Sequence, residues 1–291
     1  MKRLISIAFA FLVPLFAFAI PMRMENSLAI RGGVGYNNVH NFLPETTSPG
    51  GGALQLGLGY RLHDRQNGFL FHAGMEMAYG MSIMTHNDMT KQKSMLDTES
   101  EPMLMIYDIQ SIRETQQYVS GGIELLLGYQ SRKGWYALAG PKFAYAFYNF
   151  VHSASIVTAR GRYPNLIEDL ADMPDHFFST THNAATNIYP AMPKISLALE
   201  LGYTVHLSNW RLRARGERTK DFQIALFAEY GFLFKSGVQP YSELIASYSE
   251  GAYSPQVNPF LWYNVNSNRV AYLTCGIKMT YLFNWRSCLC H

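Results

Sequence analysis

Apolar and polar residues alternate through most of this chain, most regularly over Arg269–Phe283, RVAYLTCGIKMTYLF. One register carries Leu273, Cys275, Ile277, Met279, Tyr281 and Phe283, and the other carries Tyr272, Thr274, Gly276, Lys278 and Thr280. A side-chain period of two places these sets on opposite faces of a β-strand. Seven earlier stretches repeat the rule: Ser27–Tyr36, Ala53–Leu62, Phe69–Met84, Tyr118–Tyr129, Trp135–Tyr148, Ile195–Leu207 and Phe222–Lys235. In Ala53–Leu62, for example, Leu54, Leu56, Leu58, Tyr60 and Leu62 oppose Gln55, Gly57, Gly59 and Arg61. In Ile195–Leu207, a row of Ile, Leu, Tyr and Val opposes Ser196, Glu200, Gly202, Thr204 and His206. Trp135–Tyr148 is interrupted by Pro141, which has no ladder donor, so a bulge or local break is expected there.

The connections differ in length by turn. Asp64–Asn67 and Ser131–Lys133 are short, and the basic stretch Ser208–Asp221 is moderate. Those over about 85–116, 150–192 and 236–267 are long. Short turns at one end and long loops at the other describe a transmembrane up-and-down antiparallel β-barrel of eight strands, with short turns periplasmic and long loops extracellular. Met103–Gln110 and Val151–Thr158 are apolar enough to continue the fourth and fifth strands, and counting Met103–Gln110 separately gives the ten-stranded alternative. Pro164–Leu170 has the start signals of one helical turn.

Which face looks inward follows from chemistry. Rows of Leu, Phe and Tyr facing water, with Glu and Arg in a core, would be unstable and sticky, so a soluble ligand-carrying barrel is excluded. The apolar register therefore faces lipid and the other fills the lumen. Near the strand centres, that second register holds Arg31, Arg61, Glu76, Glu124, Lys142, Glu200, Glu229 and Lys278, one from each strand. Four are basic and four acidic, and an eight-stranded barrel is only wide enough for side chains to fill. Enclosed charges must then be paired, because unpaired burial costs several kcal/mol per ion. A salt-bridged plug is the favoured reading, and an ion or proton pathway is the alternative.

Composition refines this picture. Lys2 and Arg3 precede the apolar run Leu4–Phe18, which ends in Ala17-Phe18-Ala19, the layout of a cleavable signal peptide over residues 1–19. The run is too short, and contains Pro14, for a helical anchor. Its removal lowers the net charge from +3 to about +1, which argues against a nucleic-acid partner. Three cysteines do not make a disulfide framework: Cys275 lies on an apolar face, and Cys288, Cys290 and His291 lack the spacing of a structural zinc site. No cofactor or metal is expected.

GIELLLGY (Gly122–Tyr129), a short turn, GWYALAGPKFAYAF (Gly134–Phe147) and a last strand ending Tyr281-Leu282-Phe283 resemble the small bacterial outer-membrane β-barrel proteins of the OmpA/OmpX type. The resemblance covers the mature chain as a barrel domain. It implies an outer-membrane location, a lipid surround and delivery by the barrel-assembly machinery. The assembly signal departs from the family pattern, since eight residues follow Phe283. It implies an architecture and no activity. A surface-interaction or envelope-structural role is expected, through an extracellular partner of loop aromatics such as Tyr163, Phe177, Phe178, Tyr241, Tyr248, Tyr253, Trp262 and Tyr263. A small-solute pore or transporter, or an outer-membrane enzyme, is the alternative. His152, Asp172, Asp175, His176 and His182 match no nucleophile or metal pattern, so catalysis is not expected.

Overall fold

The computed structural model describes residues 24–40, 46–96, 102–163, 176–207, 219–234, 245–249, 252–257 and 269–286, and these are β-strand and turn. The strands are β1 (Met24–His40), β2 (Thr46–Asp64), β3 (Phe69–His86), β4 (Met89–Leu96), β5 (Pro102–Gln130) and β6 (Trp135–Arg162). They continue with β7 (His176–Tyr189), β8 (Met192–His206), β9 (Thr219–Phe234), β10 (Ile245–Ser249), β11 (Ala252–Val257) and β12 (Arg269–Arg286). The signal-peptide region, the proposed helical turn at 164–170, the basic stretch 208–218 and the Cys288–His291 tail lie outside the described residues.

Hydrogen bonding runs in the order β5-β3-β2-β1-β12-β9-β8-β6, and β6 then pairs with β5. Eight antiparallel strands thus close a ring, with no free edge in the wall. The first and last of them join from Glu25↔Arg286 to His40↔Ala271. Short turns draw the strands together at one end. Gly68 and Gly134, at φ 77° and 95°, occupy the left-handed conformation that a tight reversal needs. The Asp64 carboxylate caps the first turn, accepting from Gln66 N and Asn67 Nδ2 at 2.9 Å each.

Outside, the wall is apolar in the register the sequence predicts. Ile30, Leu56, Leu58, Met75, Met77, Ile123, Leu199, Leu226, Ile277 and Met279 are all exposed. Aromatics flank this aliphatic belt. Near the short turns stand Phe69, Tyr129, Trp135, Tyr203 and Phe283, and toward the other end Tyr36, Tyr79, Tyr145, Phe147 and Tyr230. Trp135 and Tyr203 pack edge to face at 5.2 Å between ring centroids. From Phe69 to Tyr79 the strand rises roughly 34 Å, which a 45° tilt reduces to the ~25 Å apolar band of a membrane barrel.

One alternative falls and two expectations are corrected. First, Met103–Gln110 continues the fourth strand as expected and is not a separate barrel strand: it runs continuously into β5, and the closed ring has eight members. Second, the stretches 85–116 and 150–192 are largely strand. β5 and β6 are 29 and 28 residues long, and β4 and β7 pair along their far halves, Met89↔Ile109 and Asn149↔Tyr189 among others. A four-stranded sheet, β4-β5-β6-β7, therefore extends the wall. Its inward face is apolar (Met103, Met105, Tyr107, Ile109, Ile112, Val157 and Ala159 are buried together), and that burial is what extends these strands. The hairpin of β10 and β11 lies with β11 against β6 and β7.

Third, the bulge expected at Pro141 lies elsewhere. The β5–β6 ladder skips Leu125 and Leu126 opposite the proline and resumes in the same register. The register shifts instead where Val119 faces Tyr148 and Ser120 faces Ala146. Phe147 and Tyr148 both point outward there, so inward residues are even-numbered before the bulge and odd-numbered after it. A second shift in β5, between Gln110 and Arg113, carries Ser111 at φ 52° and changes its parity too. The two strands must switch together if one inward face is to continue past the barrel.

Candidate functional site

The ring brings Arg31, Arg61, Glu76, Glu124, Lys142, Glu200, Glu229 and Lys278 into one buried layer, from 1% exposed at Glu124 to 8% at Glu76. Arg31 is the hub: its Nη1 donates to Glu124 and its Nη2 to Glu200. Lys142 Nζ contacts Glu229 and lies 2.6 Å from Glu76 Oε1 and 4.0 Å from Glu124 Oε2. Lys278 Nζ is 3.5 Å from Glu76 Oε2 and 3.9 Å from Glu200 Oε2. Arg61 Nη2 stands 3.9 Å from Glu200 Oε1 while its Nη1 donates to Gln223.

Cross-strand register makes room for these long side chains by opposing them with glycine: Arg31 and Glu76 both face Gly57, Glu124 faces Gly74, and Gly33 faces Lys278. Gly74 shows how little space is left. A Cβ there would lie 2.9 Å from His72 Nε2 and 3.0 Å from the Leu58 carbonyl oxygen.

Several members were not singled out from the sequence. His72, fully buried, places Nε2 2.9 Å from Arg31 Nη1 and 3.0 Å from Glu124 Oε1. A neutral ring cannot accept from the first and donate to the second through one nitrogen, and the carboxylate is the stronger claimant for an N–H. Lys194 adds a fifth cation, 5.0 Å from the Tyr118 ring centroid and 4.1 Å from that of Tyr272. Tyr136 Oη donates to Glu200 Oε1 at 3.0 Å and Gln55 Nε2 to Glu229 Oε1 at 2.9 Å. The signal for all of these was register. Each shares the parity of a charged residue on its own strand, but aromatic or neutral side chains do not announce themselves as lumenal.

The layer is enclosed above and below. Toward the extended sheet, Val39, Met84, Tyr118, Ala146, Val151, Tyr189, Met192, Leu233, Val270 and Tyr272 form one buried apolar cluster drawn from all round the ring. Toward the short turns, Leu70, Leu126, Tyr136, Leu138, Ala198 and Ala225 form another. A cavity of about 10 Å³ beside Glu76, Lys142, Lys194 and Glu229 has room for one water at most. An ion entering from the far side would meet an apolar constriction that disfavours wetting.

Of the residues weighed for catalysis, the structure describes the side chains of His152 and His182 alone. His152 faces outward and bonds Thr186 Oγ1 at 2.9 Å, and His182 is exposed on β7. Asp172 and Asp175 lie outside the described residues, as do Tyr241, Trp262 and Tyr263. Phe177, Phe178, Tyr248 and Tyr253 belong to strands β7, β10 and β11, and Tyr163 packs partly buried against the apolar face of the extended sheet. Among the described residues no group of three or more metal-ligating side chains occurs.

No family model and no curated protein matches the chain. Among solved structures it is similar to Ail, the attachment invasion locus protein of Yersinia pestis, crystallised with the heparin analogue sucrose octasulfate. That match has 8% identity and a TM-score of 0.26, covering 90% of this chain and 99% of that one. A mutant of the TodX monoaromatic hydrocarbon channel matches at 10% identity and a TM-score of 0.16, covering 93% and 92%. At such scores neither likeness bears weight, and the assignment rests on the molecule itself. A closed ring of eight antiparallel strands, an exposed apolar band with aromatic borders and an enclosed charge layer are together the architecture of an outer-membrane β-barrel protein.

Proposed function

We propose that the chain is a closed outer-membrane barrel that holds a stiff β-sheet above the cell surface for contact with an extracellular partner. On this reading residues 1–19 are removed during export, the barrel-assembly machinery inserts the mature chain, lipid surrounds the belt, and the short turns face the periplasm. The single observation that carries it is the extension of β5 and β6. Residues 102–110 rise roughly 30 Å past the level where β5 leaves β3. β4 ends the hydrogen-bonded order, so its outer backbone edge has no strand partner among the described residues. An open edge is a template for pairing with another chain. The exposed Lys91 and Lys93 on it discourage indiscriminate pairing and favour a partner of matching charge. The filled lumen supports a non-conducting role.

A photo-crosslinking side chain placed at Gln92 in intact cells tests this. It is expected to capture a discrete surface partner, while the same group at Arg132, on a short turn, does not. Capture of lipid or nothing at Gln92 would refute the interaction role and leave an envelope-structural one.

A further inference from the structure

At the short-turn end the lumen opens into a pocket of about 210 Å³, bounded on its inner side by Arg61 of the charge layer and by Leu70 of the lower apolar cluster. Arg61, His63, Arg65, Arg132 and His206 line it, with Glu25 and Asp221 as its acids. Both acids are already engaged. Glu25 accepts from Arg65 Nε and Nη2 at 2.6 and 2.7 Å. Asp221 accepts from His206 Nδ1 at 2.9 Å and Asn284 Nδ2 at 2.7 Å. Two of the cations are matched less fully. Arg132, exposed at the rim, makes no ion pair among the described residues. Arg61, 1% exposed at the inner wall, donates through Nη1 to Gln223, but neither its Nε nor its Nη2 has a hydrogen-bond acceptor among the described residues. Its ion pair with Glu200, at 3.9 Å, is too long to serve as a hydrogen bond. The Ser131 hydroxyl, also lining the pocket, is buried and likewise unpartnered.

Buried donors without acceptors are costly, and a guanidinium more so than a neutral group. A cavity edged by an unsatisfied Arg, a second Arg at its rim and a free hydroxyl offers the planar, forked donors that suit an oxoanion. We infer that the short-turn mouth is a binding site for a small oxoanion, a phosphate or carboxylate group, held between Arg61, Arg132 and Ser131. Such a group reaches the mouth from the aqueous side and meets the charge layer only at Arg61. The inference is independent of what the extended sheet binds.

The test uses the full mature chain folded in a maltoside detergent, free of phosphate, titrated calorimetrically with inorganic phosphate and with acetate. Saturable one-to-one binding is expected, lost in Arg61→Met and weakened at least tenfold in Arg132→Glu. Phosphate binding without acetate binding identifies a phosphate-bearing ligand, and equal or tighter acetate binding a carboxylate. Absence of saturable binding of either ion overturns the proposal, as does binding unaltered in both variants. Should Arg61→Met fail to fold, Arg132→Glu decides, because its side chain is exposed on a turn; unaltered affinity there is the overturning result.

Discussion

Individual residues in the lumen matter through what would be left behind on their removal. Glu124 accepts from Arg31 and lies against His72, all of them essentially excluded from solvent. Replacing it by Leu leaves a buried guanidinium with one carboxylate fewer. Glu124→Leu is expected to lower stability by about 3–5 kcal/mol, read from the urea midpoint at which the compact barrel loses its gel mobility; an unchanged midpoint would show that the charges are not coupled. Arg65 provides the contrast. Its pair with Glu25 has good bidentate geometry, but Arg65 is 34% exposed, so Arg65→Ala is expected to cost no more than about 1 kcal/mol. The eight charged members of the layer were legible as residues of one register. Their partners were not, because which Glu meets which Arg depends on ring closure and strand stagger. His72 and Tyr272 stood in the inward register without being singled out, because a period of two marks a face without ranking what stands on it, and Lys194 lies one residue before the stretch taken as a strand, Ile195–Leu207.

At the scale of single strands, the decisive features are the two offsets in β5 and β6. Ser111 holds φ 52°, a conformation costing a residue with a Cβ roughly 1–2 kcal/mol. Ser111→Gly is therefore expected to raise stability by up to about 1 kcal/mol, and Ser111→Val to lower it by about 1–2 kcal/mol, both measured by the same unfolding assay. Equal midpoints for the two variants would mean that this bulge carries no strain. Sequence pattern pointed to Pro141 as the irregular site, and the reason it misled is local. A proline removes one donor, which a closed wall tolerates as a missing pair. A change of parity, by contrast, requires an inserted residue, and that occurs beside Phe147, where two aromatics can both face outward. The strand pairs themselves were well marked, because an apolar belt against lipid enforces alternation along the membrane-facing stretches.

Viewed as a whole, the molecule is a sealed cylinder carrying an extended sheet. The ring's ladders, from β1–β12 round to β5–β6, are complete without β4 and β7. Joining His86 to Ile112, which face each other across β3 and β5, and Asn149 to Tyr189 across β6 and β7, by two-residue turns removes the extension. The shortened chain is expected to keep the heat-modifiable mobility of a folded barrel; failure to fold would show that the extension is needed for closure. In planar bilayers the intact protein is expected to show no large stable conductance, since both an apolar cluster and a paired charge layer cross its lumen. Steady openings would contradict the packed interior.

Alternation alone determined that the chain is a membrane-facing barrel, which residues look inward, and that the inner face carries charges of both signs, because a two-residue period and the expense of burying unpaired ions leave no other arrangement. Only the tertiary structure decided that Arg31 is the hub, that an apolar layer covers the charges, and that the long connections rise as a sheet. Those outcomes depend on closure and on two parity shifts, which bring together residues far apart in the chain and leave no periodic trace in any one segment.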